Sequence, residues 1–361
     1  MTKSIVLVSC LLLLNLSCFG QENREPDNVL DEQSKLIFKV LDEFPKNTQF
    51  AIAFVKNGTV VFEGVVKDSN ELKTIENKHS VFEIGSISKV FTSTLLANAI
   101  LEEKVRIDGL VNEHLNFKIH NDYEFGLVQL ANHTSGLPRM PGNFIFNSSD
   151  PANPFKDYGE KALREFLELY IKLDDDMSIS YEYSNLGAGL LGYALTKIYN
   201  KSYSDLLSDK VFMKYDMINS GTNSKKVKSL LAQGLDDKGN PTSNWDLNVL
   251  VGAGGILSNV EDMSKFMLAQ FNTDNKELNL TRKQTFSVSD KTALGLGWHI
   301  KKDSSLKDLV WHNGATGGYR SCMVFDVESN DGIVVLSNIS GFHKSAGKID
   351  KLAFDLLKKQ D

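Results

Sequence analysis

The first long periodic stretch runs from Leu30 to Phe44, where Leu36, Ile37, Val40, Leu41 and Phe44 recur at helical spacing before Pro45. That pattern predicts an amphipathic helix closed by the proline. Two β-rich runs follow, Gln49 to Val55 and Thr59 to Phe62, separated by Asn57-Gly58, which is the signal of a tight hairpin. The other end of the chain has the same character. Leu309-Val310-Trp311, Tyr319 to Val327 and Ile333 to Leu336 read as strands, with Asn330-Asp331-Gly332 turning between the last two. A closing helix carries Ile349, Leu352, Ala353, Leu356 and Leu357 on one face. Between these ends the pattern turns helical and loop-rich.

The simplest assembly is an α+β fold. N-terminal and C-terminal strands share one antiparallel sheet flanked by helices, and the middle of the chain forms a mostly helical lobe. The expected division is an α/β lobe over 28–106 and 268–361 and a helical lobe over about 107–267, together one catalytic unit over 21–361. A cleft between lobes would collect residues from distant parts of the sequence.

The extreme N-terminus breaks the pattern. Lys3 precedes an apolar stretch from Ile5 to Leu14, and small residues lead to Gly20-Gln21. The stretch is about half of the roughly 20 residues a membrane helix needs, so it reads as a secretory signal peptide over 1–20. Export to the periplasm or cell envelope is expected. Cys18 stands where a lipid-modified cysteine would, although Asn15-Leu16-Ser17 before it is a poor lipidation signal. Of three cysteines, only Cys322 would survive cleavage. No internal disulfide can then form, and stability must come from the core. The net charge of −6 and the lack of a basic run argue against nucleic acid as a partner.

Three short segments carry candidate chemistry. Phe82 to Phe91 contains Ser86-Ile87-Ser88-Lys89 and runs into an apolar helix predicted over 86–101. Ser86 would sit at the helix N-terminus, where free N–H groups favour negative charge. Lys89, three residues on, shares its face and could take the serine proton or stabilise the alkoxide. The blander reading is a serine helix cap beside a solvated lysine, and the same spacing recurs at Ser304 to Lys307 in a polar stretch. The second segment is Tyr181 to Gly187. Tyr183 alone among ten tyrosines has Asn two residues later, at Asn185. A phenol with its pKa lowered by nearby cations can act as a base, and the Asn185 amide can orient the nucleophile or hold a carbonyl. The third is Trp311 to Tyr319. His312-Asn313-Gly314 ends a strand before a glycine pair. Gly314 would let a substrate lie close to the strand edge, and the Ala315 N–H could join that of Ser86 as an oxyanion hole. Alternatively, this is a glycine-rich hairpin with a surface histidine.

Together, and in this order, the three segments resemble the serine β-lactamase and penicillin-binding peptidase superfamily, in particular the class C β-lactamases with their DD-peptidase and esterase relatives. His133-Thr134-Ser135-Gly136-Leu137-Pro138, Gly252 to Ser258 and the Leu294 to Trp298 stretch, which matches the strand before the third segment, extend the resemblance. The resemblance implies that Ser86 forms an acyl-enzyme on an amide, lactam or ester. Lys89 and Tyr183 would share proton transfer, Asn185 would contact the acyl side chain, and Ser86 and Ala315 N–H groups would hold the oxyanion. His133 is expected to be structural. Class C β-lactamases usually carry Lys-Thr-Gly where this chain has His312-Asn313-Gly314. A histidine pulls on a carboxylate more weakly and in a pH-dependent way. β-Lactam or D-Ala-type peptide substrates are therefore expected alongside an esterase alternative. A non-catalytic penicillin sensor should have lost Lys89 or Tyr183, and both are present. No zinc, dinucleotide or P-loop spacing occurs, so no metal or cofactor is implied.

Overall fold

The computed structural model describes residues 27–144, 150–173, 179–302 and 308–360. The expected signal peptide, Cys18 and the second Ser-x-x-Lys at Ser304 to Lys307 lie outside these residues. Among the described residues, no helix is long and apolar enough to cross a membrane.

Helix α1 (Asp27–Leu41) precedes the hairpin of β1 (Gln49–Lys56) and β2 (Thr59–Asp68). Asn57 and Gly58 both adopt positive φ, as a two-residue hairpin turn requires. A short β3 (Glu71–Thr74) extends the edge. After β4 (Phe82–Glu83) and a tight turn at Gly85–Ile87 comes the buried helix α2 (Ser88–Leu101). α3 (Leu127–Ala131), α4 (Glu160–Glu165), α5 (Asn185–Tyr199) and α6 (Tyr203–Leu207) make the middle of the chain helical. β5 (Leu257–Ser258) pairs with β4, and α7 (Val260–Phe271) and α8 (Lys276–Arg282) lead back to the sheet. The chain closes with β6 (Phe286–Ser289), β7 (Thr292–Leu294), β8 (His299–Lys302), β9 (Asp308–Ala315), β10 (Arg320–Asp326), β11 (Asp331–Ser337) and α9 (Gly347–Lys358).

Nine of these strands form one antiparallel sheet in the order β3-β2-β1-β11-β10-β9-β8-β7-β6. The expected union of the chain ends is thus the β1–β11 ladder, with Phe50 opposite Ser337 and Val55 opposite Gly332. β11 is buried along its whole length, which explains why Ile333 to Leu336 reads as a continuous apolar run rather than an alternating one. On one sheet face, Ile37, Leu41, Ile349, Leu352 and Leu356 from α1 and α9 pack on Ile52, Val324 and Val335. On the other, α2 and α7 bury Phe91, Phe266 and Met263 with Val334 and Leu336. Phe91 and Phe266 stack at 4.4 Å.

Two local expectations need correction. The Leu294 to Trp298 stretch is not a strand. Gly295 to Trp298 turn between β7 and β8, and Gly297, at φ +73°, lies so close to the backbone of Lys89 that a side chain there would collide with it. The helix expected from Ser86 begins at Ser88, because Gly85–Ile87 wind into a tighter 3₁₀ turn.

Candidate functional site

The turn that carries Ser86 is wedged between two glycines. Gly85, at φ +50°, leaves no room for a methyl group, which would stand 2.6 Å from the Ala315 nitrogen. Gly314 presses on the other side, where a Cβ would overlap the Ile84 carbonyl oxygen and the Ser321 hydroxyl. That hydroxyl donates to the same Ile84 carbonyl at 2.8 Å. The end of β9 is thereby locked against the serine turn, and the Ala315 N–H is brought beside Ser86. Gly314 is thus needed where it is by the chain's own backbone at Ile84.

Lys89 is 2% exposed at the start of α2. Its Nζ lies 3.0 Å from Ser86 Oγ, 2.8 Å from Asn185 Oδ1 and 2.7 Å from the Ala253 carbonyl. None of these partners is a carboxylate. Burial therefore pushes the amine well below the usual lysine range, and Arg139 pushes the same way. A neutral amine has two N–H donors and one lone pair, which these three contacts can use in full. In the structure Nζ donates to all three, and loss of one proton would free a lone pair facing Ser86 Oγ. Asn185 begins α5, whose first turn is capped by Ser184 Oγ accepting from the Gly187 N–H at 2.8 Å. Its Oδ1 serves Lys89 and its Nδ2 points to Met140 Sδ at 3.6 Å. Asn185 thus holds Lys89, a contact that differs from the two roles read for it from the residues themselves, orienting the nucleophile or holding a carbonyl.

Tyr183 behaves against expectation. Its ring lies 4.9 Å from Lys89 Nζ and 4.9 Å from the Arg139 guanidinium carbon, yet its hydroxyl is pushed up to about 12. Burial outweighs the pull of Ser86 and Arg139. The pull of cations on this phenol is thus overcome by its own burial. Tyr183 is an O–H donor here, and Lys89 is the group with base character.

His133 braces this tyrosine. Its ring is 4.4 Å from that of Tyr183, and its Nδ1 accepts from the Ser184 N–H at 3.2 Å. The structural role expected for His133 fits these contacts. His312 lies across the site, 6.4 Å ring to ring from Tyr183 and 5.2 Å from His299. Its Nδ1 lies 2.6 Å from the Asn313 carbonyl, which makes Nδ1 the protonated nitrogen and Nε2 an acceptor. Burial holds His312 and His133 well below the usual histidine range and lowers His299 to about 4. Burial therefore favours the uncharged form of His312, which weakens its pull on a carboxylate. Cys322 is fully buried in β10 with its thiol pushed up, as expected of an inert core residue.

The structure thus brings Ser86, Lys89, Tyr183, Asn185, His312, Gly314 and Ala315 to one place. A narrow cleft runs along it, walled by Phe155, Trp245, Leu247 and Leu250. Among the described residues, no group of acidic, histidine and cysteine side chains has the arrangement of a metal site. Several participants gave no sequence signal. The Ala253 carbonyl is backbone. His299 follows a turn that was read as a strand.

Glu83 is a further one. It sits on β4, buried behind the site, where Oε1 accepts from the Trp245 N–H at 2.7 Å and Asn244 Nδ2 at 2.9 Å. Burial raises its carboxyl from about 4.5 to about 7, against the opposing pull of Thr316, Asn244 and Trp245. The native state then holds this proton more tightly than the unfolded chain does. Stability contributed by the neutral form is lost as pH rises from about 4.5 to 7, at a cost of about 3 kcal/mol that is complete above that window. Glu83→Gln keeps an acceptor for Asn244 and Trp245 but cannot ionise. Urea unfolding at pH 5 and pH 8 is expected to show a smaller loss of stability in the variant than in the parent. Equal losses would mean that Glu83 does not titrate in this range.

Comparison with known proteins places these features in a family. Residues 39–358 match the family model described as Beta-lactamase. Protein flp of Staphylococcus aureus (strain COL) is 23% identical over 307 residues, covering 80% of this chain and 59% of flp. Beta-lactamase-like protein 2 of Dictyostelium discoideum is 28% identical over 356 residues, covering 89% of this chain and 63% of that protein. The chain thus spans about three fifths of the length of these curated relatives. The crystal structure of a beta-lactamase/D-alanine carboxypeptidase from Pseudomonas syringae superposes with a TM-score of 0.75 at 18% identity, covering 92% of this chain and 99% of that one. That likeness is one of fold, and it extends through the antiparallel sheet and its flanking helices. By the family match over nearly its whole length, this chain belongs to the beta-lactamase family.

Proposed function

We propose that this protein is an exported serine hydrolase of the class C β-lactamase and DD-peptidase type. It would form an acyl-enzyme on Ser86 with β-lactams or D-Ala-type peptides. The observation that carries this reading is the buried, carboxylate-free Lys89 amine 3.0 Å from Ser86 Oγ. Such an amine is a base made by desolvation, and structural lysines seldom pay that cost without a partner carboxylate.

In the proposed reaction Ser86 Oγ bonds to the substrate carbonyl carbon while its proton passes to Lys89 Nζ. The N–H groups of Ser86 and Ala315 hold the resulting oxyanion. When the C–N or C–O bond breaks, the proton moves from Lys89 to the leaving atom, with the Tyr183 hydroxyl as relay. Water then attacks the acyl carbon, again giving up its proton through Tyr183 and Lys89, and the acid product leaves with Ser86 restored.

Mixing the protein with benzylpenicillin and following intact mass over time tests this reading. A penicilloyl adduct that persists supports a penicillin-binding peptidase, and one that forms and disappears as penicillin is consumed supports a β-lactamase. A second reading, an esterase on small acyl esters, is favoured by one observation: burial favours an uncharged His312 where a lysine would draw a carboxylate. Absence of any adduct, with turnover of p-nitrophenyl acetate, would favour the esterase. Absence of both would sink the serine hydrolase reading.

A further inference from the structure

Glu83 has no part in the proposed transfer of protons, yet it touches both sides of the cleft. Its backbone is fixed on β4, where it pairs with Leu257 of β5. Its Oε1 accepts from the Trp245 N–H and from Asn244 Nδ2. Trp245 walls the cleft, with its ring 4.9 Å from that of Phe155. On the other side stands Thr316, which lines the same cleft and directly follows Ala315 at the end of β9. Its N–H donates to the Tyr319 carbonyl and its carbonyl accepts from the Gly341 N–H, both at 3.0 Å. Glu83 Oε2 and the Thr316 hydroxyl are both buried, and neither meets a third group among the described residues. Of the polar neighbours, Thr316 acts most strongly on the carboxyl. Two N–H donors make Oε1 the acceptor oxygen of the acid, so its single proton belongs on Oε2, with the Thr316 hydroxyl as partner. The other titratable group against Glu83 is the Tyr319 hydroxyl, which lies 3.0 Å from Asn244 Nδ2 and donates to the Ala232 carbonyl at 2.6 Å. Burial and the Glu83 charge push that phenol up, so it stays neutral.

We propose that Glu83 is a positioning residue for acylation at Ser86 and that it works as the neutral acid, joining the Trp245 wall of the cleft to the end of β9 through Thr316. This inference rests on the Ser86 acyl-transfer reading and adds a regulation to it. As an acid, the carboxyl uses its acceptor for Trp245 and Asn244 and its O–H for Thr316, so one uncharged group holds both walls. As a carboxylate, it sets a negative charge with no partner cation behind the strand whose Ala315 N–H would receive the oxyanion. Like charges in a buried site repel strongly, so acylation slows when Glu83 ionises. Lys89 works the opposite way, because loss of its proton makes it a base and raises the rate. Burial lowers His133, His299 and His312, which moves their own steps to more acidic solution. Burial of Glu83 places its change near pH 7, and a falling step there is its signature.

The test follows kcat/KM for p-nitrophenyl acetate, or the rate of penicilloyl-adduct formation where benzylpenicillin is the better acyl donor, between about pH 5 and pH 9. In the parent we expect a fall of about fivefold or more with its midpoint near pH 7. Glu83→Gln keeps an acceptor and puts an N–H donor in place of the O–H, but it cannot ionise, so the step should vanish whatever the absolute rate. Thr316→Val removes the hydroxyl that favours the carboxylate, so its step should move to higher pH. A parent without the step, or a step of equal size in Glu83→Gln, overturns the proposal. An unmoved midpoint in Thr316→Val also overturns it, and does so even where Glu83→Gln fails to fold. A folded parent that is acylated by neither compound fails as a serine hydrolase, and this inference falls with that reading.

Discussion

Ser86→Ala is expected to reduce turnover of any ester, amide or lactam substrate by at least about 10³-fold while the protein stays folded. Ser86 is half-buried on the 3₁₀ turn, and its side chain bonds to Lys89. Removing one hydroxyl leaves Lys89 with Asn185 and Ala253, so the buried amine keeps both acceptors for its N–H groups. The expected loss of stability is within about 1 kcal/mol. The proposed chemistry, by contrast, loses the atom that would form the covalent bond. Steady-state rates beside a thermal melt separate the two. Full activity in the variant would show that another nucleophile operates and would undo the role given to Lys89 as well.

Gly314→Ala should fail for a different reason. Its new methyl group would occupy the space of the Ile84 carbonyl and the Ser321 hydroxyl. Both belong to the backbone contact that holds β9 against the serine turn, so one of them must move. Overpacking of this kind costs about 1–3 kcal/mol, and here it also withdraws the Ala315 N–H from Ser86. We expect a drop in kcat of about 10²-fold, the scale of one lost oxyanion donor, in a protein that still folds. The control is Gly347→Ala at the start of α9, where an added methyl meets nothing within 4 Å. If Gly314→Ala retained parental kcat, the locking of strand to turn would be irrelevant to the chemistry.

Much of this site was legible beforehand, for a physical reason. Ser86, Lys89, Tyr183, Asn185, His312, Gly314 and Ala315 are held by short local segments whose spacing survives in sequence. The hairpin at Asn57-Gly58 and the strand of Ile333 to Leu336 were equally plain, because backbone sterics and burial leave direct marks on residue choice. Less legible was everything that depends on what a side chain meets across space. The pKa of Tyr183 was read in the wrong direction because burial of the phenol, which no local segment announces, outweighs the pull of Ser86 and Arg139. The contact of Gly314 with Ile84 was not read, because nothing local announces that Ile84 lies against it. Glu83 drew no reading of its own, since its partners Asn244 and Trp245 are far along the chain. Strand β3 was missed because Glu71 to Thr74 is a short, polar edge segment with little apolar signal.

The β1–β11 ladder has a consequence for how the protein comes into being. Its strands lie far apart in sequence, and the partner of the Ser86 turn, at Gly314-Ala315, emerges from the ribosome long after Ser86. A nascent chain that already carries Ser86 and Lys89 has neither the neighbour of β1 nor the second oxyanion donor. Such non-local closure is slow, because loop entropy must be overcome before any contact rewards it. The proposed hydrolytic power should accordingly await closure of this ladder, and a truncation before Ser337 should yield an inert, aggregation-prone polypeptide rather than a partly active one.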